Sequence, residues 1–318
     1  MYSKVFDISV ATGSTRAVYA ALFGNLGIAI TKFVAAIFSG SVSMWAEAYH
    51  SASDTVNQIL LLVGIKSSKK PPTFLHQFGF GKSQFFWSFI VATMIFGISG
   101  ILSLEQGISS LLSNGHRFES SSINYIVLAI AAVFEGNALR IAFAQFKKTI
   151  EDRDERVNFN SLIDEFRNSK DPTILTVIVE DSAALLGIGI AALGIFLTDI
   201  TGNIVYDAIS SLIIGSLLMS FAFFLAKENR GLLLGESITT KQFKEIIQVV
   251  RDLPEVDRVV NMKTMHLGPK DILIGIEVHL VDKLDTDQIE LITDKIEDEI
   301  IKIIPDSKKE FIYVEIQK

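Results

Sequence analysis

Four polar residues interrupt an apolar run early in the chain: Glu47, His50, Asp54 and Asn57. His50 and Asp54 stand four positions apart, and Glu47 precedes His50 by three, so a helix turns all three toward one side. A second apolar run carries Glu180 and Asp181 side by side, and Glu135 and Asp207 lie in two more. Ionisable groups at membrane depth are costly and mark a pathway or a binding site. One imidazole with several carboxylates is a donor set for a divalent cation. Oxygen donors alone would favour manganese or magnesium, whereas the imidazole shifts the preference toward zinc, cobalt or iron. Zinc takes four N or O donors in a tetrahedron at about 2.0–2.2 Å. The competing reading of His50 and Asp54 is an ordinary helix-stabilising hydrogen bond. The chain has no cysteine, so thiolate sites and disulfides are excluded.

The elements that must position these residues are membrane helices. Of 318 residues, 49% are hydrophobic and 20% charged, against about 25% charged in a soluble domain. The apolar excess lies before about residue 230, and charge is dense from there to the end. A spanning helix needs roughly 20 mostly apolar residues, because lipid satisfies no free backbone group. Six runs meet this: Val18–Phe38, Val42–Ile65, Phe85–Leu112, Ile123–Phe146, Ile174–Leu197 and Ile204–Ala226. Ser39-Gly40-Ser41 and Gly202-Asn203 predict tight helical hairpins, and Pro71–Pro72 breaks the chain between the second and third runs.

Lysine and arginine collect after the second, fourth and sixth runs (Lys66, Lys69, Lys70, Lys82; Lys147, Lys148, Arg153, Arg156, Arg167, Lys170; Lys227, Arg230). That asymmetry places both termini in the cytoplasm or its organellar equivalent. The residues before Ser14 lack the pattern of a cleaved signal, so the N-terminus is expected to be mature. In the polar stretch Glu151–Asp171, Phe159, Leu162, Ile163 and Phe166 recur at helical spacing and predict an amphipathic surface helix. The net charge of −7 argues against nucleic acid as a partner.

The division expected is a six-helix transmembrane domain over residues 1–235 and a cytoplasmic domain over residues 236–318. In the latter, Thr240–Arg251 reads as a helix, Val256–Leu267 and Ile272–Val281 alternate as strands about the Gly268–Pro269 turn, Asp285–Ile304 is helical, and Phe311–Ile316 is a last strand. The order α-β-β-α-β predicts a small two-layer α+β domain with one sheet face left for a partner, hence a dimer.

The run Ser39-Gly-Ser-Val-Ser-Met-Trp-Ala-Glu-Ala-Tyr-His50-Ser-Ala-Ser-Asp54 resembles the second-helix signature of the cation diffusion facilitators, and His76-Gln-Phe-Gly-Phe-Gly-Lys82 resembles their entry to the third helix. Six helices and an α+β tail match the family plan over nearly the whole chain. Gly64-Ile-Lys-Ser with Pro71–Pro72, Lys170-Asp-Pro172, Glu180-Asp-Ser-Ala-Ala-Leu-Leu-Gly187 and Thr201-Gly-Asn-Ile-Val-Tyr-Asp207 resemble the zinc transporter nine branch.

The resemblance implies a homodimeric, proton-coupled exporter of a divalent metal, zinc first, with Mn²⁺, Fe²⁺, Co²⁺ and Cd²⁺ as alternatives and no resident cofactor. It implies a transport site shared by the second and fifth helices. His50 and Asp54 match the second-helix pair and Asp181 the last fifth-helix position, but Val177 stands at the other. Glu180, three residues on, is expected to replace it. Glu47, His76, His266 and His279 are further candidate ligands. Phe80 and Tyr313 stand at positions where some members carry histidine, and His116 reads as a solvated loop residue. Lys82 resembles a lysine of an inter-subunit charge contact, with Glu236 as a candidate partner.

The expected mechanism is alternating access, with protons displacing the metal from His50 and the acids. Gly187, Gly189 and Gly194 are expected to let the fifth helix pack closely. Two readings stay open beside it: a uniporter or channel without proton exchange, and a non-transporting metal sensor or scaffold. No phosphate-binding glycine loop, nucleophile elbow or HExxH pattern marks an enzyme. With no organelle address in view, a bacterial inner or plasma membrane is the expected location.

Overall fold

The computed structural model describes residues 6–112, 122–151, 172–305 and 307–317. The expected amphipathic segment around Phe159–Phe166, and His116, lie outside the described residues.

Among the described residues, the apolar part of the chain forms helices α1 (Phe6–Ser39), α2 (Val42–Ser68), α3 (Ser83–Met94), α4 (Ile101–Leu112), α5 (Ser122–Glu151), α6 (Pro172–Thr201) and α7 (Val205–Leu234). A six-residue π-helical stretch, Ile95–Gly100, joins α3 to α4. Among the described residues, five runs are long and apolar enough to cross a bilayer: Leu22–Ser39, Ser83–Leu112, Ser122–Ala144, Thr176–Thr201 and Val205–Leu234. α2 is not among them, because Glu47, His50, Asp54 and Asn57 dilute its hydropathy. By length and composition the chain is an integral membrane protein.

Both predicted hairpin turns are closed by a glycine in the left-handed region, Gly40 at φ 67° and Gly202 at φ 66°. Each ends its helix by donating to the carbonyl four residues back, Ala36 at 2.9 Å and Thr198 at 2.8 Å. The start of α2 is held from another helix: the buried Asp207 carboxylate of α7 accepts from Val42 N–H at 2.5 Å, Ser43 N–H at 3.2 Å and Ser41 Oγ–H at 2.9 Å, and from the Ser43 hydroxyl. Those amides belong to the orphan first turn of a helix, and an anion there also meets the positive end of the dipole. Asp207 N–H in turn donates to Thr198 Oγ of α6 at 3.2 Å.

Of the described residues, those in Met1–Val63, Trp87–Arg167 and Thr173–Lys227 form one compact unit, and those in Gly64–Phe86, Asn168–Pro172 and Glu228–Lys318 a second. The second unit therefore takes in the α2–α3 connection beside the tail, whereas the sequence places the division at residue 235. Within that unit, Gly81 lies against the carbonyl of Leu267, where a Cβ would approach to 2.4 Å, and Phe78 packs on Phe311 with ring centroids 6.1 Å apart. Lys82 Nζ reaches Leu233 O at 3.5 Å, near the end of α7. That end is a Schellman turn: Glu236 N–H donates to Gly231 O at 3.1 Å and Gly235 N–H to Leu232 O at 3.2 Å, with Gly235 at φ 100°.

The tail consists of α8 (Thr240–Arg251), β1 (Val256–His266), β2 (Ile272–Leu280), α9 (Thr286–Ile303) and β3 (Ile312–Gln317). Both helices open with a capping box, Thr239 with Gln242 and Asp285 with Gln288. β2 is central, antiparallel to β1 and parallel to β3. Its alternate residues Ile272, Ile274, Ile276, Val278 and Leu280 are buried, and they share a core with Ile246 and Val250 of α8 and Ile292, Ile296 and Ile300 of α9.

Candidate metal site in the helical unit

Two contacts fix how α2 meets α6. Asn57 Nδ2–H donates to Glu180 Oε1 at 2.9 Å. Ten residues earlier on α2, Glu47 Oε1 faces the backbone of α6 at Gly187, where a Cβ would lie 2.3 Å from it. The residue number rises on one helix as it falls on the other, so the two run antiparallel over about 15 Å. His50 and Asp54 lie between the two contacts on α2, and Asp181 lies between them on α6. Asparagine and glycine thus set the spacing of the helices that carry the donors.

His50 and Asp54 are buried, and His50 Nδ1 stands 3.4 Å from Asp54 Oδ1. That separation is long for a hydrogen bond. Both ring nitrogens of His50, Oδ1 of Asp54 and Oδ2 of Asp181 are buried with no hydrogen-bond partner. Buried polar atoms are normally satisfied, so each such orphan calls for a missing partner. Asp54 is within electrostatic reach of Glu180, Glu135, Lys32 and Asp181. Glu135 of α5, noted in the sequence only as an acid in an apolar run, therefore belongs to this neighbourhood. Among the described residues, no three His, Asp or Glu side chains stand close enough together to enclose an ion.

The remaining candidates are dispersed. Glu47, a further candidate ligand, has its Oε2 paired with Lys32 Nζ of α1 at 2.8 Å, and both side chains are fully buried. A carboxylate desolvated this far needs a cation, and Lys32 of α1 supplies one. Val177 packs against the cluster of Ile178 with Ala142 and Phe146 of α5, whereas Glu180 meets Asn57 of α2. One turn of α6 thus divides the two between neighbours. Gly187 makes a close approach, but Gly189 has open space around it.

His76 is exposed in the α2–α3 connection and stacks on Phe80 with centroids 4.4 Å apart. His266 is buried with Nδ1 2.9 Å from Glu236 O. His279 Nδ1 is 3.5 Å from Asp257 Oδ2. His266 pairs with Ile272 and His279 with Arg258, opposite ends of the β1–β2 ladder, so they share no site.

Sequence reasoning did not single out Lys32. Its signal was available: Lys32 and Glu47 are nearly equidistant from the Gly40 turn, so an antiparallel hairpin sets them opposite each other.

The cation efflux transmembrane domain profile matches residues 18–234, and the chain belongs to the cation efflux family, the cation diffusion facilitators. Within it the chain falls on the side of zinc transporter nine. It is 36% identical over 247 residues to the human "Proton-coupled zinc antiporter SLC30A9, mitochondrial", covering 78% of this chain and 42% of that protein. It is 31% identical over 265 residues to "Metal tolerance protein C4" of Arabidopsis thaliana, covering 83% and 57%. The chain spans about half the length of these two relatives. The "Manganese efflux system protein MneP" of Bacillus subtilis is 22% identical over 308 residues, covering 95% of each.

Proposed function

We propose that this protein exports a divalent metal ion, zinc foremost, in exchange for protons, by alternating access. The observation that carries this reading is the set of buried donor atoms without a hydrogen-bond partner on His50 and Asp54 of α2 and Asp181 of α6, two helices that run antiparallel. The names of the relatives support it: one is a proton-coupled zinc antiporter and another a manganese efflux protein. α2 is the sixth span, its lower hydropathy being the consequence of carrying the site. His50 and Asp54 of α2 and Asp181 of α6 are ligands, and Glu180 supplies the fourth in place of Val177 by releasing Asn57.

Metal entry needs a neutral imidazole and ionised acids, so loading expels protons. When the helices rock and the site opens to the other side, protons compete for the same atoms and the ion leaves. A histidine titrates near pH 6.5 when unperturbed, which puts that exchange in a physiological range. Three carboxylates with Zn²⁺ sum to one negative charge, and protonation reduces what the return step must carry through lipid. The α-β-β-α-β tail serves a homodimer in which each protomer carries its own site. The location is a bacterial inner or plasma membrane with both termini cytoplasmic, and the chain performs no enzymatic reaction.

The test is uptake of labelled zinc into proteoliposomes under an imposed pH gradient. Asp54→Ala and Asp181→Ala are expected to abolish it while the purified protein stays folded. Unchanged transport in both would remove the ligand set. Transport indifferent to the gradient would favour a uniporter, and gradient-independent metal binding with no transport in the parent would favour a sensor.

A further inference from the structure

The Lys32–Glu47 pair stands apart from the proposed ligands yet is built into the helices that carry them. Both side chains are fully buried, and the ammonium and carboxylate are 2.8 Å apart. A buried ion pair adds little stability over well-packed apolar residues of the same volume, so stability alone does not account for it. Its position is informative. Glu47 lies about 4.5 Å along α2 from His50, on the side that meets α6. Its second oxygen has no hydrogen-bond partner and reaches the α6 backbone at Gly187. Without Lys32, a free carboxylate would stand one turn from the proposed site, between the same two helices. A carboxylate so placed would be available to a metal ion.

We infer that Lys32 withholds Glu47 from the transported ion, and by doing so keeps metal binding weak enough for release. The inference rests on the ligand set proposed above. A carrier needs its cargo to leave as well as to enter, and each added anionic ligand deepens the bound state. Lys32 is a positioning residue: it acts on the ion through Glu47. Its charge is also within reach of His50 and Asp54, which adds a repulsion toward the incoming cation.

The experiment is a Zn²⁺ titration of the purified full chain in detergent, by calorimetry against a competing chelator, beside proteoliposome uptake. Lys32→Met keeps the length of the side chain and frees Glu47. Zn²⁺ affinity is expected to rise by about 10–100-fold, the scale on which outer partners tune metal ligands, while the maximal uptake rate falls. Lys32→Met/Glu47→Gln removes both charges and is expected to restore the parent affinity. Glu47→Gln alone leaves the ammonium unpaired and is expected to weaken binding, so a Lys32→Met protein that does not fold still leaves a pair to compare. Parent affinity in Lys32→Met, or equal affinity in Glu47→Gln and the double variant, overturns the inference. Asp54→Ala separates the two levels. It is expected to abolish binding, and if it binds zinc as the parent does, the ligand set falls and this inference with it.

Discussion

Replacing Asp207 with alanine tests how α2 is held at its first turn. The carboxylate is buried and takes four hydrogen bonds, from the Val42 and Ser43 amides and the Ser41 and Ser43 hydroxyls. The hydroxyls can turn toward other acceptors, but the amides cannot. A buried unsatisfied donor costs about 1–3 kcal/mol, so two stranded amides amount to roughly 4 kcal/mol. The lost attraction between the charge and the helix end adds about 0.3–1 kcal/mol. In a unit of this size, each kcal/mol moves Tm by about 2–4 °C, so Asp207→Ala is expected to melt roughly 8–16 °C lower. Asp207→Asn keeps one acceptor oxygen and should fall by about half as much. The assay is thermal unfolding of the detergent-solubilised protein followed by intrinsic fluorescence. A Tm within about 2 °C of the parent for Asp207→Ala would refute the reasoning, because it would mean that solvent or another group already serves those amides.

Two further outcomes follow from the second unit. Gly81→Ala puts a methyl group 2.4 Å from the Leu267 carbonyl. Backbone cannot swing aside as a side-chain tip does, so the change should cost about 1–3 kcal/mol and raise amide hydrogen exchange in residues 64–86 and in the β1–β2 turn together. On α9, burial foremost, and then the neighbouring Asp294, raise the pKa of Glu297. A raised carboxylate favours the folded state when protonated, so this residue's contribution fades as pH climbs from the ordinary glutamate value through the raised one. Glu297→Gln should flatten that slope in the protection of α9, measured by hydrogen exchange corrected for intrinsic rates.

The parts legible in the sequence were those governed by short-range spacing. His50 and Asp54 are one turn apart, and the structure keeps them within 3.4 Å. The alternation Ile272, Ile274, Ile276, Val278 and Leu280 reads directly as a strand with one buried face. What escaped depended on encounters between distant segments. The Lys32–Glu47 pair needs two helices folded about Gly40. The Asp207 clamp joins residues more than 160 positions apart, and nothing local to Asp207 distinguishes a cap on another helix from a metal ligand. The π stretch Ile95–Gly100 left no mark in hydropathy, because an apolar run looks the same whichever helical hydrogen bond it uses. The division of Val177 and Glu180 between α5 and α2 depends on where those neighbours stand, which periodicity along α6 does not state.

Lys82 and Met265 meet across 183 positions, with four of the five apolar runs named above lying between them in the chain. A ribosome delivers the N-terminal partner first, and early segments settle while later ones are still being made. The connection carrying Gly81 and Lys82 emerges before its counterpart has been translated. It therefore waits until the segment carrying Met265 and Leu267 arrives. The final packing of this connection is thus a late event in biogenesis, and a truncated product lacking the tail would leave it without its template.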